Sequence, residues 1–249
     1  MITTQWLQDQ VRLSVDAYAT TNPLRQLIFH VVHRALVAHY GGDYSIRCLQ
    51  SCHAIQTLLG DLGIRSGICE GALCFANGYA SLPGHLSWTG FWDKDHHYWL
   101  STSFGEIVDL TIRQSHRHPS RRRRDGFEAP AFWWNIREGF PKTIHYLPAG
   151  VLADDARFED EKDSEDLNRF MLVVRKIWKE RLSALKPRQI SFPTVLTGRE
   201  SWDALRDTNP WVRFNCFVAE REEPCPLWVA NRHEALCAQW AAEGNQDLE

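Results

Sequence analysis

Apolar residues recur at helical spacing through the first quarter of the chain. Between Pro23 and His39, the residues Leu24, Leu27, Ile28, Val31, Val32, Leu36 and Val37 fall on one helical face. Asn22-Pro23 supplies a start and Gly41-Gly42 a stop. The same reading predicts a helix over Thr4–Tyr18. A third should run from about Ile46 to Asp61, carrying Ala54, Ile55, Leu58, Leu59 and Leu62 before Gly63 ends it.

The period then changes. Ser66–Ala76 reads as a strand, bounded by Gly63 and the turn signal Asn77-Gly78. Leu86–Trp92, Tyr98–Ser101 and Glu106–Leu110 read as shorter strands, the last two joined as a hairpin at Phe104-Gly105. Thr143–Leu147 is another strand, closed by Pro148. Helices followed by an antiparallel meander predict the α+β class.

Two polar stretches interrupt the alternation. Gln114–Ala129 is a positively charged insertion containing Arg121–Arg124, and the aromatic run Phe132-Trp133-Trp134 follows it. Asp154–Asp166 is acidic and reads as a solvated loop. Ser164 should cap a helix over Glu165–Leu185, with Phe170, Met171, Val174, Ile177 and Trp178 on one face. After Lys186-Pro187, Ser201–Asp207 and Ala230–Glu243 read as helices and Trp211–Val218 as a strand. The expected organisation is a core over residues 1–186 and an extension over 187–249 packed on it.

Composition narrows the function classes. The 249 residues, 44% hydrophobic and 24% charged, suffice for a substantial core without metal or disulfide support. A net charge of -3 gives no global attraction to nucleic acid. No apolar run reaches the roughly 18 residues of a membrane span. Met1–Asp16 shows no basic region followed by an apolar stretch. Seven cysteines, an odd and scattered count, point to reduced thiols and a cytoplasmic setting. There is no Cys-x2-Cys pair, and His30 and His33 have no evident third ligand. No metal or cofactor is expected.

The candidate chemistry lies in two segments. Arg47-Cys48-Leu49-Gln50-Ser51-Cys52 opens the third helix, and His96-His97-Tyr98-Trp99 precedes Asp109-Leu110-Thr111. Cys48, His97 and Asp109 provide the thiol, base and orienting carboxylate of nucleophilic cysteine chemistry. A helix start favours thiolate over thiol, and Arg47 adds positive charge. Of the adjacent imidazoles, His97 is the expected base, because it shares a strand face with Trp99. Cys52 is expected to pack against strands, and His53 to be structural or exposed. The Cys48 amide, with Gln26, Tyr44 or Gln50, is a candidate oxyanion donor.

These segments resemble the transglutaminase-like superfamily of the papain-like cysteine-enzyme fold. Its catalytic helix carries Cys, a small residue four positions on, and a leucine-rich stretch ending in Leu-Gly-Ile, here Cys48, Cys52 and Leu62-Gly63-Ile64. Its His-x-Trp and Asp-x-Thr motifs are matched by His97-Tyr98-Trp99 and Asp109-Leu110-Thr111. Arg47 and Cys52 depart from the small residues usual at those positions, and the basic insertion is long. The resemblance implies a Cys48-His97-Asp109 triad acting on an amide or peptide bond of a peptide, protein or small amide through an acyl-enzyme. It also implies two alternatives, acyl transfer or deamidation, and a scaffold that has lost turnover. The Arg121–Arg124 loop reads as solvated, with docking of an acidic partner as the other reading.

Overall fold

The computed structural model describes residues 1–92, 96–121, 123–152 and 161–244. It shows a mixed α/β protein. Helices α1 (Thr4–Ala17), α2 (Asn22–Tyr40) and α3 (Cys48–Asp61) come first. Strands β1 (Ser66–Tyr79), β2 (Leu82–Phe91), β3 (His97–Thr102) and β4 (Glu106–Asp109) follow. A short 3-10 helix over Thr111–Arg117 leads to β5 (Ala131–Asn135) and β6 (Ile144–Val151). The chain closes with α4 (Glu161–Ala184), β7 (Val195–Leu196), α5 (Arg199–Leu205), α6 (Pro210–Glu220) and α7 (Leu227–Gly244).

One curled sheet holds all seven strands. Strand β1 is its long central member. Strand β6 pairs with one edge, while β2 and β3 pair end to end along the other. Phe91 faces Leu73 and His97 faces Gly71, so on β1 only Ala72 separates the two pairings. The end of β2 and the start of β3 therefore meet on one sheet face. Strands β3, β4 and β5 continue antiparallel, and β7 joins β5 in parallel.

The two sheet faces bury different clusters. Ile68, Leu100, Val108 and Trp133 pack against Leu27, Ile28 and Val31 of α2 and Ile55, Leu58 and Leu59 of α3, with Phe170 and Val174 of α4 behind them. Leu73, Phe75, Phe91, Phe132 and Trp134 pack with Trp211, Val212 and Cys216 of α6. Residues beyond 186 thus contribute a strand to the sheet and a helix to this second cluster. Period-two alternation makes the division: Leu100 and Val108 face the helices, while His97, Trp99, Ile107 and Asp109 face away.

Several predicted elements need correction. Trp211–Val218 is not a strand but the body of α6, whose Asn209 side chain accepts from the Val212 amide as a cap. Asn77-Gly78 does not end β1. A register irregularity between Asn77 and Tyr79 absorbs it, and Gly78 is small because Phe127 and Phe214 rings press on it. The acidic stretch is not all loop: α4 begins at Glu161, with Ser164 inside it, while positions 154–160 lie outside the described residues. Within α4, Asp166 accepts from Tyr40 Oη at 2.8 Å and pairs with His39 Nε2 at 3.0 Å, tying α4 to α2.

Nor is the basic insertion simply solvated. Arg121 lies over the Phe91 ring at 4.7 Å, and its Nη2 donates to the Gly90 carbonyl at 2.6 Å. Arg123 and Arg124 are exposed, and Arg122 lies outside the described residues. Cys48, Cys52, Cys69, Cys74, Cys216 and Cys225 are free. Among the described residues no helix is long and apolar enough to cross a membrane.

Candidate active site

Leu100 pairs with Val108 across the β3–β4 hairpin. That register sets Asp109 diagonal to His97 on the sheet face opposite Leu100 and Val108. The side chains meet there: His97 Nε2 donates to Asp109 Oδ2 at 2.6 Å. Both are buried, at 3% and 2% exposure. Of the two adjacent imidazoles, His97 is the one placed against a carboxylate, whereas His96 is exposed.

Cys48 occupies the first position of α3 and is partly exposed. The sulfur lies close enough to the His97 ring to raise its pKa, and since Nε2 is committed to Asp109, Nδ1 is the nitrogen left to face it. No side chain caps the start of α3. Its first-turn amides are therefore available to negative charge beside the sulfur. The Arg47 guanidinium lies over the Tyr40 ring at 4.4 Å.

Asp109 is held by five hydrogen bonds. Its Oδ1 accepts from the Thr111 amide at 2.9 Å, the Ile112 amide at 3.0 Å and the Thr111 hydroxyl at 3.1 Å. Its Oδ2 accepts from His97 and from the Tyr146 hydroxyl at 2.9 Å. The Asp-x-Thr spacing thus makes the carboxylate a cap for the 3-10 helix as well as a partner for the ring. Tyr146 comes from β6, beyond β1 in strand order, and reaches β4 only because the sheet curls. Rings of Trp99, Phe132 and Phe140 surround it. No sequence signal adjacent to Asp109 names Tyr146.

Charge follows this geometry. Burial opposes protonation of His97, but the Asp109 charge, the Asp109 and Cys48 hydrogen bonds and the Cys48 charge outweigh it and raise the pKa. Burial likewise works against ionised Asp109, yet His97 and the Tyr146 and backbone donors hold it below the usual carboxylate value. The signs set a pH window. A raised His97 contributes stability that is full below its unfolded value near 6.5 and is lost as pH rises through the folded value. A depressed Asp109 contributes stability present above 3.8 and lost as pH falls through its folded value. The pair stabilises the fold most between those two reference values.

The other cysteines differ in kind. Burial lifts Cys52 well above the ordinary thiol value, Cys69 to about 11 and Cys74 to about 12. Cys52 sits in the helix-facing core. The suggested oxyanion side chains are largely committed elsewhere. Gln26 Oε1 accepts from the Phe192 amide at 2.5 Å, and Tyr44 Oη lies 2.8 Å from His33 Nδ1. Gln50 is buried in the first turn of α3. His30 Nδ1 donates to the Ser191 carbonyl at 3.2 Å, and among the described residues no group of three or more His, Cys, Asp or Glu is placed to hold a metal ion.

Tyr146→Phe tests the fourth contact. Losing a hydrogen bond to a buried carboxylate should cost about 1–3 kcal/mol of stability. It also concentrates the carboxylate charge on the ring, so His97 should keep its proton to higher pH. An NMR titration of the His97 ring checks this, and an unmoved midpoint would show that Tyr146 fills space only. No family model, curated protein or solved structure matches the chain.

Proposed function

We propose that the protein is a cysteine-dependent hydrolase of amide or peptide bonds, built on the papain-like plan of the transglutaminase-like superfamily. One observation carries the reading: a partly exposed cysteine at a helix start, beside an imidazole that a buried carboxylate holds at 2.6 Å. In this reading His97 takes the Cys48 proton and the sulfur attacks the carbonyl carbon. The oxyanion forms beside the first-turn amides of α3. As the C–N bond breaks, His97 gives its proton to the leaving amine, and a thioester remains. Water, losing a proton to His97, attacks the thioester. The acid departs and the sulfur is regenerated.

The first test is chemical. Iodoacetamide should alkylate Cys48 at least tenfold faster than Cys52, Cys69 or Cys74, since buried thiols held protonated are inert. Peptide mapping of a short labelling time course reads the rates, and His97→Ala should slow Cys48 alone. Turnover of an amide-substrate library should leave a thioester on Cys48 detectable by mass spectrometry. Its alkaline limb should lie above the ordinary imidazole value of 6.5, because the leaving amine needs a protonated His97. Equal alkylation at all these thiols would end the proposal.

A further inference from the structure

Beside His97 and Asp109 lies a cavity of about 430 Å³ lined by Cys69, Trp99, Ile107, Ile136, Tyr146 and Arg232, together with residues 148–151 of β6. It continues the sheet face that carries the triad: Trp99 stands two residues after His97, and Ile107 two before Asp109. We propose that this cavity is a binding site for a small carboxylate with an apolar body, an aryl or alkyl acid.

Three observations converge on that chemistry. The size falls within the range of small-molecule pockets, and the floor is aromatic and aliphatic. Two of the protein's exposed large apolar side chains, Ile136 at 52% and Val151 at 67%, stand together at this cavity. Isolated exposed apolar residues are ordinary, but a pair rimming an apolar cavity marks a place for an apolar body. The third observation is charge. The Tyr146 hydroxyl is spent on Asp109, and burial keeps the Cys69 thiol neutral.

Arg232 of α7 is then the cationic group of the lining. Its Nη2 makes one long contact, 3.3 Å to the Pro148 carbonyl, and among the described residues no carboxylate pairs with it. A planar guanidinium with donors to spare matches a carboxylate two bonds at a time. One guanidinium over an apolar floor suits a single negative charge rather than a phosphate dianion. Glu70, whose carboxylate comes near Gly150 of this wall, is hydrogen-bonded to Tyr98 on the helix-facing side. The site does not depend on Cys48 being a nucleophile.

Calorimetric titration of the full chain with 4-phenylbutyrate, and with 4-phenylbutan-1-ol as its neutral counterpart, tests the proposal. The acid should bind at least about tenfold more tightly than the alcohol, as expected of a charge-assisted contact. Arg232→Gln should erase that difference. Ile136→Glu, a second exposed substitution at the mouth, should weaken the acid more than the alcohol. The proposal is overturned if the acid fails to saturate the protein at millimolar concentration. It is equally overturned if acid and alcohol bind alike, or if the acid binds Arg232→Gln unchanged.

Discussion

Glu106→Ala should cost about 3–5 kcal/mol of folding stability, the range for breaking a buried charge pair from one side. Glu106 is fully buried at the turn of the β3–β4 hairpin. Its carboxylate accepts from the Thr20 amide at 2.9 Å, the Thr20 hydroxyl at 2.6 Å, Arg25 Nη2 at 2.8 Å and the Thr102 hydroxyl at 3.0 Å. The first three donors belong to the α1–α2 junction and the start of α2, so one side chain staples the helical layer to the hairpin bearing His97 and Asp109. Alanine would strand the Arg25 charge at 8% exposure, without the partner that offsets its desolvation. A loss of that size takes a large share of the about 5–15 kcal/mol that keeps a domain folded. Urea unfolding at neutral pH measures it. Adding Arg25→Met should recover much of the loss, because the stranded charge is removed. A single variant within about 1 kcal/mol of the parent would show that the staple contributes little beyond a surface pair.

Asp109→Asn should slow any Cys48-dependent turnover by about four orders of magnitude, while leaving the fold in place. The reason lies in the two ends of the carboxylate. The Oδ1 end takes donors from Thr111 and Ile112, so an asparagine will set its carbonyl there. Its NH2 then faces His97 Nε2 and donates where the carboxylate accepted. The ring must carry its proton on Nδ1, toward the sulfur, and cannot take one from Cys48. Turnover and Cys48 alkylation should fall together, with far-ultraviolet circular dichroism unchanged. Full activity in a folded Asp109→Asn variant would remove Asp109 from the mechanism.

The sequence makes the local parts readable and leaves the distant ones hidden. The α2 and α3 stripes and the β3–β4 hairpin are visible because their period and turn residues are local. Asp109 is recognisable because Thr111 follows it at the spacing that lets one carboxylate cap its own turn. The α6 helix was masked by dense apolar residues on both sides of Trp211, although Asn209-Pro210 offers a start signal like Asn22-Pro23. Gly78 misled for a different reason: its lack of a side chain serves ring packing, which appears only in the folded chain. Tyr146 and Arg121 reach their partners across 37 and 31 residues, through sheet curl and loop return that no local pattern encodes.

Asp109 serves two masters at once. Its outer oxygen fastens Thr111 and Ile112 and its inner oxygen fastens the imidazole, so the polar stretch that follows is geared to the ring rather than hung beside it. From the other side Arg121 lies on Phe91, whose ring stacks on His97 at 5.1 Å. Whatever pulls on that arginine-rich ribbon therefore tugs the proton carrier from two directions.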